Sequence, residues 1–519
     1  MKKIFLHFFL AAAIVCAGSS CSTNDPDNTG TNTETNTGDD ENDFVDNQTW
    51  SYSLDIVWSG SSATVSGSVD GVTVTNSNGY VTITSTTKQV VYNISGSGTG
   101  QLCIYSDYKF QLAFQGLTLA CSDGPAINNQ CHKTCYVVVS GTNTLSDGSS
   151  YAASTEDRKA AFFSEGQLCF SGSGSLSVTG NYKHALASDD YIRFCTGMTA
   201  SLNLTAKASD GLHTNDGVII NAGTLTITAV EEGIQCDTSS VVITGGTVSI
   251  TSSTDKGILA YGNIEISGGT IDITSKYKCI KTQGNLVISD GKITAIATGT
   301  SSSSGGRPGS SSSSDGTPEG IEAKGTITIS GGQVYAQAND DAINAGGNLT
   351  ISGGYVCAYS TGNDGIDANG NCYIQGGLVY AIGASSPEVA IDANTEGGYK
   401  LYVTGGTIVA IGGLESGSSL SQSCYSTSSW STGKWYALTA GSNVFAFKTP
   451  SSGGSTLVVS GASTPTLTLG VTASGTSIFN GMGYYPASAS GGSSVTLSSY
   501  SGGNSGGGNP GGGGGPSGH

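Results

Sequence analysis

The chain has 519 residues, of which 79 are glycine and only 11% are charged, a composition unlike that of an ordinary globular domain. Its formal net charge at pH 7 is −18, which argues against nucleic acid or an anionic membrane face as a partner, because both would repel it. A chain this acidic is better suited to binding cations.

The first 21 residues have the pattern of a bacterial lipoprotein signal peptide. Lys2 and Lys3 precede an apolar run, Ile4 to Ala17, that is too short to remain as a membrane-spanning helix. Small residues stand directly before Cys21, which resembles a lipobox, although Gly18 replaces the preferred leucine. We predict lipidation at Cys21 and a lipid-anchored protein at the outer membrane or cell surface. A plain secretory signal is the alternative.

The next two segments differ sharply in composition. Residues 22–47 contain mostly Asn, Thr, Asp and Gly, and they are predicted to form a disordered tether because they cannot bury enough apolar surface. Residues 48–126 alternate apolar and polar positions, as in TVSGSVDGVTVT from Thr64. This alternation predicts N-terminal β coils and a cap.

Residues 127–413 repeat one pattern, seen in EGIEAKGTITISGGQVYAQA from Glu319 and DGIDANGNCYIQGGLVYAIG from Asp364. An apolar anchor residue recurs at spacings of 22, 24, 22, 41, 22, 23 and 25, at Leu212, Ile234, Ile258, Ile280, Ile321, Ile343, Ile366 and Ile391. Short alternating strands separated by Gly-Gly or Asp-Gly corners describe coils of a parallel β-helix. Weaker copies at Ile127, Phe162 and Leu186 extend the solenoid to about 11 coils.

Three further segments complete the predicted organisation. Residues 301–318, rich in serine and glycine, form a loop inserted into one coil. Residues 414–498 lose the repeat but keep strand patterns, which predicts a β-rich C-terminal cap. Residues 499–519 form a Gly/Ser-rich disordered tail.

Thirteen cysteines are present. Cys236 and Cys279 stand at positions where other repeats place small inward residues, such as Ala323 and Gly320. Free cysteine behaves as a small hydrophobic residue. Core thiols are therefore favoured over a disulfide framework, which remains the alternative.

Ionisable residues concentrate at one corner of the repeat. Equal positions of successive coils stack, so they form columns. The column two residues before the anchor reads His184, Asp210, Glu232, Lys256, Lys278, Glu319, Asp341, Asp364, and the column one residue after it reads His213, Gln235, Leu259, Lys281, Glu322, Asn344, Asp367, Asp392.

Stacked carboxylates repel one another by about 1 kcal/mol or more per pair and need a cation or a proton. Calcium, which takes six to eight oxygen ligands, answers this need. We predict calcium ligands among Asp210, Glu232, Glu319, Glu322, Asp341, Asp364, Asp367 and Asp392. Ordinary turn capping by aspartate is the alternative.

Lysines interrupt both columns at Lys256, Lys278 and Lys281. The favoured interpretation is structural, with the lysines neutralising Glu232 and Glu319 in adjacent coils. The functional alternative is that they grip acidic sugars, or that Lys278 or Lys281 removes a proton next to a uronate carboxylate.

Tyrosines at outward strand positions are candidates for carbohydrate binding. Tyr335 and Tyr380 share one column with Cys357 between them, and Tyr355 lies on the same strand face. Flat aromatic rings stack on the apolar faces of sugars. Tyrosine is also a common exposed strand residue, so the alternative has no ligand.

The repeats resemble a known family. The pattern D-G-I-x-A-x-G-x-[IL]-x-I-x-G-G-x-V at Asp364 to Val379, with LAFQGLTLACSDGPAI from Leu112 and SGTNTLSDGSSY from Ser140, is similar to the carbohydrate-binding right-handed β-helix family of cellulose-degrading clostridia. That family is similar in fold to family 9 pectate lyases. The resemblance covers about residues 50–415.

The resemblance implies an all-β, right-handed, single-stranded parallel β-helix with β-rich caps. It also implies calcium-bearing coils and binding to plant cell-wall polymers, either cellulose or acidic pectin-like chains, without established catalysis. Only the aspartate of each D-G-I corner carries over, directly at Asp210 and Asp364 and at Asp341 with Ala342 replacing the glycine; Lys256 and Lys278 depart from the pattern.

Three hypotheses follow. The first is a surface-anchored, non-catalytic polysaccharide-binding β-helix stabilised by calcium, with the membrane contacted through the lipid only and with no nucleic acid partner. The second is a calcium-dependent pectate or polysaccharide lyase, for which no convincing set of catalytic residues is visible. The third is a structural or adhesive surface rod.

Overall fold

A computed structural model describes residues 41–300 and 316–502 of the chain. The predictions for the signal peptide with Cys21, for residues 22–40 of the tether, for most of the loop 301–318 and for residues 503–519 of the tail lie outside these residues.

The described chain is a parallel β-solenoid, which confirms the predicted fold class. A representative coil consists of the strands Ile321–Ala323, Ile327–Ile329 and Gln333–Ala338. The next coil repeats them one level along, so that Ile321 pairs with Ile343 and Val334 with Val356, all in parallel. Equal positions of successive coils therefore stack as predicted.

The first strand of each coil carries the anchor residue, and these strands form what we term the anchor sheet. Over residues 41–300 and 316–502 it has 13 strands, slightly more than the expected 11 coils: Val72–Ser77, Tyr80–Ser85, Gln101–Ser106, Ile127–Asn129, Ala160–Ser164, His184–Ser188, Leu212–Thr214, Ile234–Cys236, Ile258–Ala260, Ile280–Thr282, Ile321–Ala323, Ile343–Ala345 and Ile366–Ala368. The excess arises before Ile127, where the repeat is too degenerate to be counted from the sequence. Ile127, Phe162 and Leu186 occupy the predicted column.

The other strands of the coils form a second sheet, which closes at the C-terminal end with antiparallel strands. Its 28 strands within the described part of the chain are Tyr52–Gly60, Ser62–Ser66, Val90–Thr99, Phe110–Ala120, Cys135–Ser140, Thr142–Ser146, Leu168–Gly172, Ser175–Gly180, Ile192–Phe194, Ser201–Ala206, Val218–Ile220, Thr224–Ala229, Val241–Ile243, Thr247–Ser252, Ile264–Ser275, Leu286–Ala297, Ile327–Ile329, Gln333–Ala338, Leu349–Ile351, Tyr355–Ser360, Cys372–Ile374, Leu378–Ile382, Leu401–Val403, Thr407–Ile411, Ser419–Leu420, Cys424–Thr427, Leu457–Ser460 and Ser498–Tyr500.

The core runs along the axis of the solenoid. Ile327 and Ile329 are buried while Thr328 between them is only partly so, as period-two alternation requires. The corner after this strand needs glycine, because a Cβ on Gly331 would lie 2.0 Å from the carbonyl oxygen of Ser289 in the preceding coil. Each coil thus stacks closely on its neighbour at its corners.

The cysteines behave as predicted for core residues. Within residues 41–300 and 316–502 there are 11 cysteines, and all are free and buried. Cys236 and Cys279 occupy the core of the solenoid beside the anchor residues. The described thiols therefore contribute packing and not a disulfide framework.

A six-stranded antiparallel sheet, the cap sheet, follows the solenoid. Its strands among the described residues are Trp435–Ala440, Asn443–Lys448, Thr466–Leu469, Thr472–Ile478, Gly483–Ser490 and Ser493–Val495. Phe445, Phe447 and Phe479 of this segment pack against Tyr380 on the outer face of the solenoid. The cap sheet therefore covers a side of the solenoid.

The end of the predicted tether is ordered. Short 3-10 helices span Glu41–Asp43 and Val45–Asn47, and a third spans Phe479–Gly481. Asp43 is buried and its Oδ2 lies 2.6 Å from Nε of Arg193 on the solenoid. The tether prediction is wrong for this part, because a buried ion pair to a distant coil holds residues that composition alone marks as disordered. Among the described residues, no helix has the length and apolar character needed to cross a membrane.

Candidate functional site

The two ionisable columns of the anchor sheet form as predicted, but they divide into three chemically different zones. In the column after the anchor, Lys281 pairs with Glu322, Glu322 with Asn344, and Asn344 with Asp367. A bridge between Ile366 and Ile391 brings Asp392 next in line. The charge of the neighbouring coil decides what each carboxylate contacts.

The middle zone consists of lysine–carboxylate pairs. Lys278 is 0% exposed, and its Nζ lies 3.1 Å from Oε1 of Glu319 and 3.4 Å from Oε2 of Glu322. Nζ of Lys281 lies 3.7 Å from Oε2 of Glu322. Buried carboxylates need such partners, since an isolated buried charge is costly. These contacts are the ones that the structural interpretation of the lysines predicts.

A similar pair lies two coils earlier. Nζ of Lys256 lies 3.1 Å from Oε1 of Glu232 and 2.7 Å from Oδ1 of Asp255. Burial, together with the charge of Asp255, raises the pKa of Glu232 to about 7, while Lys256 opposes that rise. The ammonium group here takes the place that a metal cation would take.

These pairs correct two predictions. Glu232, Glu319 and Glu322 do not fit a calcium site, because their charge is already offset by lysine. Neither Lys278 nor Lys281 suits the role of a lyase base, because both are buried and bound to carboxylates. The column positions and the neutralising role of the lysines could be anticipated from the sequence, but the burial of Lys278 and Lys281 could not.

The N-terminal zone is a histidine–aspartate cluster. Oδ2 of Asp210 lies 3.1 Å from Nδ1 of His184 and 2.9 Å from Nδ1 of His213, and the two imidazole rings stack at 4.3 Å. Burial alone would raise the pKa of Asp210, but the two histidines outweigh it and hold that pKa below its usual range. Nitrogen donors are poor calcium ligands, so Asp210 does not fit the predicted calcium site.

The C-terminal zone, which we term the acidic column, comprises Asp341, Asp364, Asp367 and Asp392. Within residues 41–300 and 316–502 no lysine, arginine or histidine forms an ion pair with any of them. Backbone and amide groups supply the contacts: Asp341 accepts hydrogen bonds from the backbone N–H of Asp364 at 3.1 Å and from Nδ2 of Asn344 at 2.9 Å. The backbone N–H of Val389 donates to Oδ1 of Asp364 at 2.6 Å.

The acidic column concentrates buried carboxyl groups that no basic side chain of the described residues offsets, so their ionised forms are disfavoured. Burial raises the pKa of Asp364 to about 7 and that of Asp367 to about 6. Burial and a hydrogen bond with Glu415 raise the pKa of Asp392 to about 9, and burial with neighbouring carboxylates raises that of Asp341 well above its usual range. An all-oxygen, anionic donor set without a basic partner fits calcium.

The three tyrosines predicted to bind carbohydrate differ in their exposure to solvent. Tyr335, Cys357 and Tyr380 do form one column. However, Tyr335 is 4% and Tyr380 0% exposed, because the cap sheet covers them. They cannot stack on a sugar, and the prediction is wrong for both. Tyr355 remains 36% exposed.

Tyr355 lines a cleft of about 840 Å³ between the corners of the solenoid and the cap strand Thr472–Ile478, which we term the corner cleft. The Tyr485 ring contacts Tyr355 edge to face at 5.5 Å. The cleft is lined by Gly268, Gly269, Asp290, Gly291, Lys292, Gly331, Gly332, Gln333, Gly354, Tyr355, Thr476, Ser477 and Ile478. Its Gly-Gly corners were visible in the sequence, but the opposing cap strand could not be placed there.

The chain belongs to the class of β-solenoid repeat proteins, whose stacked coils form extended surfaces. A family model described as carbohydrate-binding domain-containing protein matches residues 77–262 and 199–365, together more than half of the chain. The chain belongs to this family of carbohydrate-binding domain-containing proteins.

Two other comparisons complete the picture. The solved polysaccharide lyase-like protein from C. thermocellum, in a gadolinium derivative, is 19% identical, and the match covers 53% of this chain and 96% of that chain with a TM-score of 0.35. A likeness of this extent says nothing about function. No curated protein is significantly similar in sequence.

Proposed function

We propose that this protein is a non-catalytic, calcium-stabilised module that binds plant cell-wall polysaccharide in the corner cleft and is held at the cell surface by lipid on Cys21. The observation that carries the proposal is the exposed Tyr355 ring beside polar groups in a cleft of about 840 Å³, on a member of a carbohydrate-binding family. Cellulose and acidic pectin-like chains are the ligands considered.

The lining of the cleft suits a sugar chain. Tyr355 offers a flat apolar face, and Tyr485 fixes its orientation. Asp290, Lys292 and Gln333 supply hydrogen-bonding groups on one side, and hydroxyl groups from the cap strand supply them on the other. The Gly-Gly corners lack side chains, so a ligand can approach the backbone of successive coils, which repeat at about 4.8 Å.

Calcium fits the acidic column in this proposal. Asp341, Asp364, Asp367 and Asp392 would hold it, and the ion would supply the positive charge that the column lacks. In a chain with a net charge of −18, such ions also reduce repulsion toward an acidic polymer.

Replacing Tyr355 by alanine should weaken polysaccharide binding about tenfold, which corresponds to about 1.4 kcal/mol, because the stacking face is lost. Retention of the protein in gels containing cellulose derivatives or polygalacturonate, with calcium present, measures the affinity. Tyr399→Ala is the matched control, since Tyr399 is 42% exposed and lies outside the cleft.

Equal retention of the Tyr355→Ala and parent proteins on every bound polymer would remove the cleft from the proposal. A glycan array on which the parent protein binds no polysaccharide would overturn the proposed function and leave a structural rod. Steady release of unsaturated products from polygalacturonate would contradict the non-catalytic part.

A further inference from the structure

We propose that His184, Asp210 and His213 form a binding site for a transition-metal ion of the zinc type, separate from the corner cleft and from the acidic column. The three residues come from two consecutive coils. His184 begins the strand His184–Ser188, and Asp210 and His213 flank the anchor of the strand Leu212–Thr214. One donor atom from each lies within 4.8 Å of the other two.

The distances fit a small metal ion. Oδ2 of Asp210 lies 3.1 Å and 2.9 Å from Nδ1 of His184 and of His213. Ligands bound at about 2.0–2.1 Å to a tetrahedral zinc ion lie about 3.3 Å from one another. A modest outward shift of the side chains would therefore admit the ion. The donor set of two imidazoles and one carboxylate is of the type that zinc prefers.

The hydrogen-bonding geometry of His213 favours a cation among the three side chains. The ring of His213 faces a carboxylate at each of its two nitrogens: Nδ1 faces Asp210, and Nε2 lies 3.3 Å from Oδ2 of Asp237. A neutral imidazole has only one N–H, so one of these nitrogens would direct a lone pair at a carboxylate oxygen. A metal ion at Nδ1 leaves Nε2–H free to donate to Asp237, which removes this repulsion.

His184 supports the same assignment. The backbone N–H of Asp210 donates to Nδ1 of His184 at 3.3 Å, so the lone pair of this nitrogen faces the cluster, and a bound ion would take it over from this long hydrogen bond. Nε2 of His184 is buried and has no hydrogen-bond partner within the described residues. Two protonated imidazoles stacked at 4.3 Å would repel each other, whereas two metal-bound neutral rings would not.

The surroundings resemble the outer shell of a metal site. Asp237 holds His213 through Nε2 and is itself held by Nε2 of Gln235, which donates to its Oδ1 at 2.7 Å. A carboxylate that accepts from the second nitrogen of a ligating histidine orients the ring and raises its basicity. Glu231 and Glu232 each bring an oxygen within 4.8 Å of an oxygen of Asp210, and because Lys256 holds Glu232, Glu231 is the candidate donor for a fourth position.

Titration of the metal-stripped protein with zinc should show one site per chain and a rise in the melting temperature. With cobalt(II), the visible bands of a four-coordinate nitrogen–oxygen site should appear without the thiolate charge-transfer band that binding to cysteine would give. His213→Gln should abolish the site. Asp237→Asn should weaken it about tenfold or more, because it removes only the outer-shell partner.

The matched control is His132→Gln, since His132 is exposed and lies outside the cluster; it should bind zinc like the parent. Asp392→Asn should do so too, which separates this site from the acidic column. Asp237 is partly exposed, so the Asp237→Asn variant keeps the test valid if His213→Gln fails to fold. The proposal would be overturned if the parent protein bound no zinc, or if His213→Gln and Asp237→Asn both bound zinc like the parent, whatever the polysaccharide assays show.

Discussion

The Lys278→Met variant should lose about 3–5 kcal/mol of unfolding free energy, because removing one partner of a buried ion pair leaves uncompensated charge in the interior. Nζ of Lys278 contacts both Glu319 and Glu322, and the side chain is 0% exposed. Water cannot replace the ammonium group at this depth. Chemical denaturation followed by circular dichroism measures the shift of the unfolding midpoint.

Two further variants make this test specific. The double variant Lys278→Met, Glu319→Gln should recover part of the loss, since it removes one of the stranded carboxylates together with its cation. Lys324→Met is the matched control: Lys324 also pairs with Glu322, but its side chain is 38% exposed, so the expected cost is at most about 1 kcal/mol. Equal midpoints for Lys278→Met and Lys324→Met would contradict the argument.

The coils could be predicted from the sequence because each coil is a local unit. The spacing of the anchor residues from Leu212 to Ile391 gives the period of the coils, and Gly-Gly corners mark where strands end. Since stacking in a solenoid involves nearest neighbours, the register of the ionisable columns follows directly from the period. The lysine–carboxylate pairing could be anticipated for the same reason.

The cap sheet could not be predicted in this way. The hydroxyl group of Tyr380 donates to the backbone oxygen of Lys448 at 2.9 Å. These residues are 68 positions apart in the chain, and the repeat period does not predict a contact between them. That contact is part of the packing that buries Tyr380, and the cap strand Thr472–Ile478 forms one wall of the cleft near Tyr355. Which tyrosine stays exposed for stacking therefore depends on the cap segment, which lies beyond the end of the repeat.

A second limit on prediction is that a column position does not determine which partners a side chain finds in the adjacent coils. The sequence places Asp210 and Asp364 at equivalent corner positions. The structure gives Asp210 two histidine partners and gives Asp364 a backbone N–H donor, that of Val389. Equivalent positions thus acquire different chemistry from the residues of adjacent coils, which explains why calcium ligands were predicted along columns that divide into three zones.

Calcium should stabilise the protein through the acidic column, by about 2.7 kcal/mol at a concentration 100 times the dissociation constant. In metal-free protein, Asp392→Asn should instead raise stability at neutral pH by about 1 kcal/mol or more, because folding raises the pKa of Asp392 to about 9 and an asparagine removes the cost of protonating this carboxyl group. For the Asp392→Asn variant, calcium should raise the free energy of unfolding much less than it does for the parent protein. Asp272→Asn, at an exposed strand position outside the column, should change neither quantity.

The pH dependence provides an independent check with a definite sign. Asp364, Asp367 and Asp392 have pKa values raised to about 7, 6 and 9 in the folded protein, against about 4 in the unfolded chain. Between these values the folded state binds more protons than the unfolded state, so stability falls as the pH rises from about 4 to about 9. Calcium binds the ionised carboxylates and should remove or reverse that slope. Denaturation midpoints measured across this range with calcium and with a chelator should therefore diverge as the pH rises; parallel curves would place calcium elsewhere.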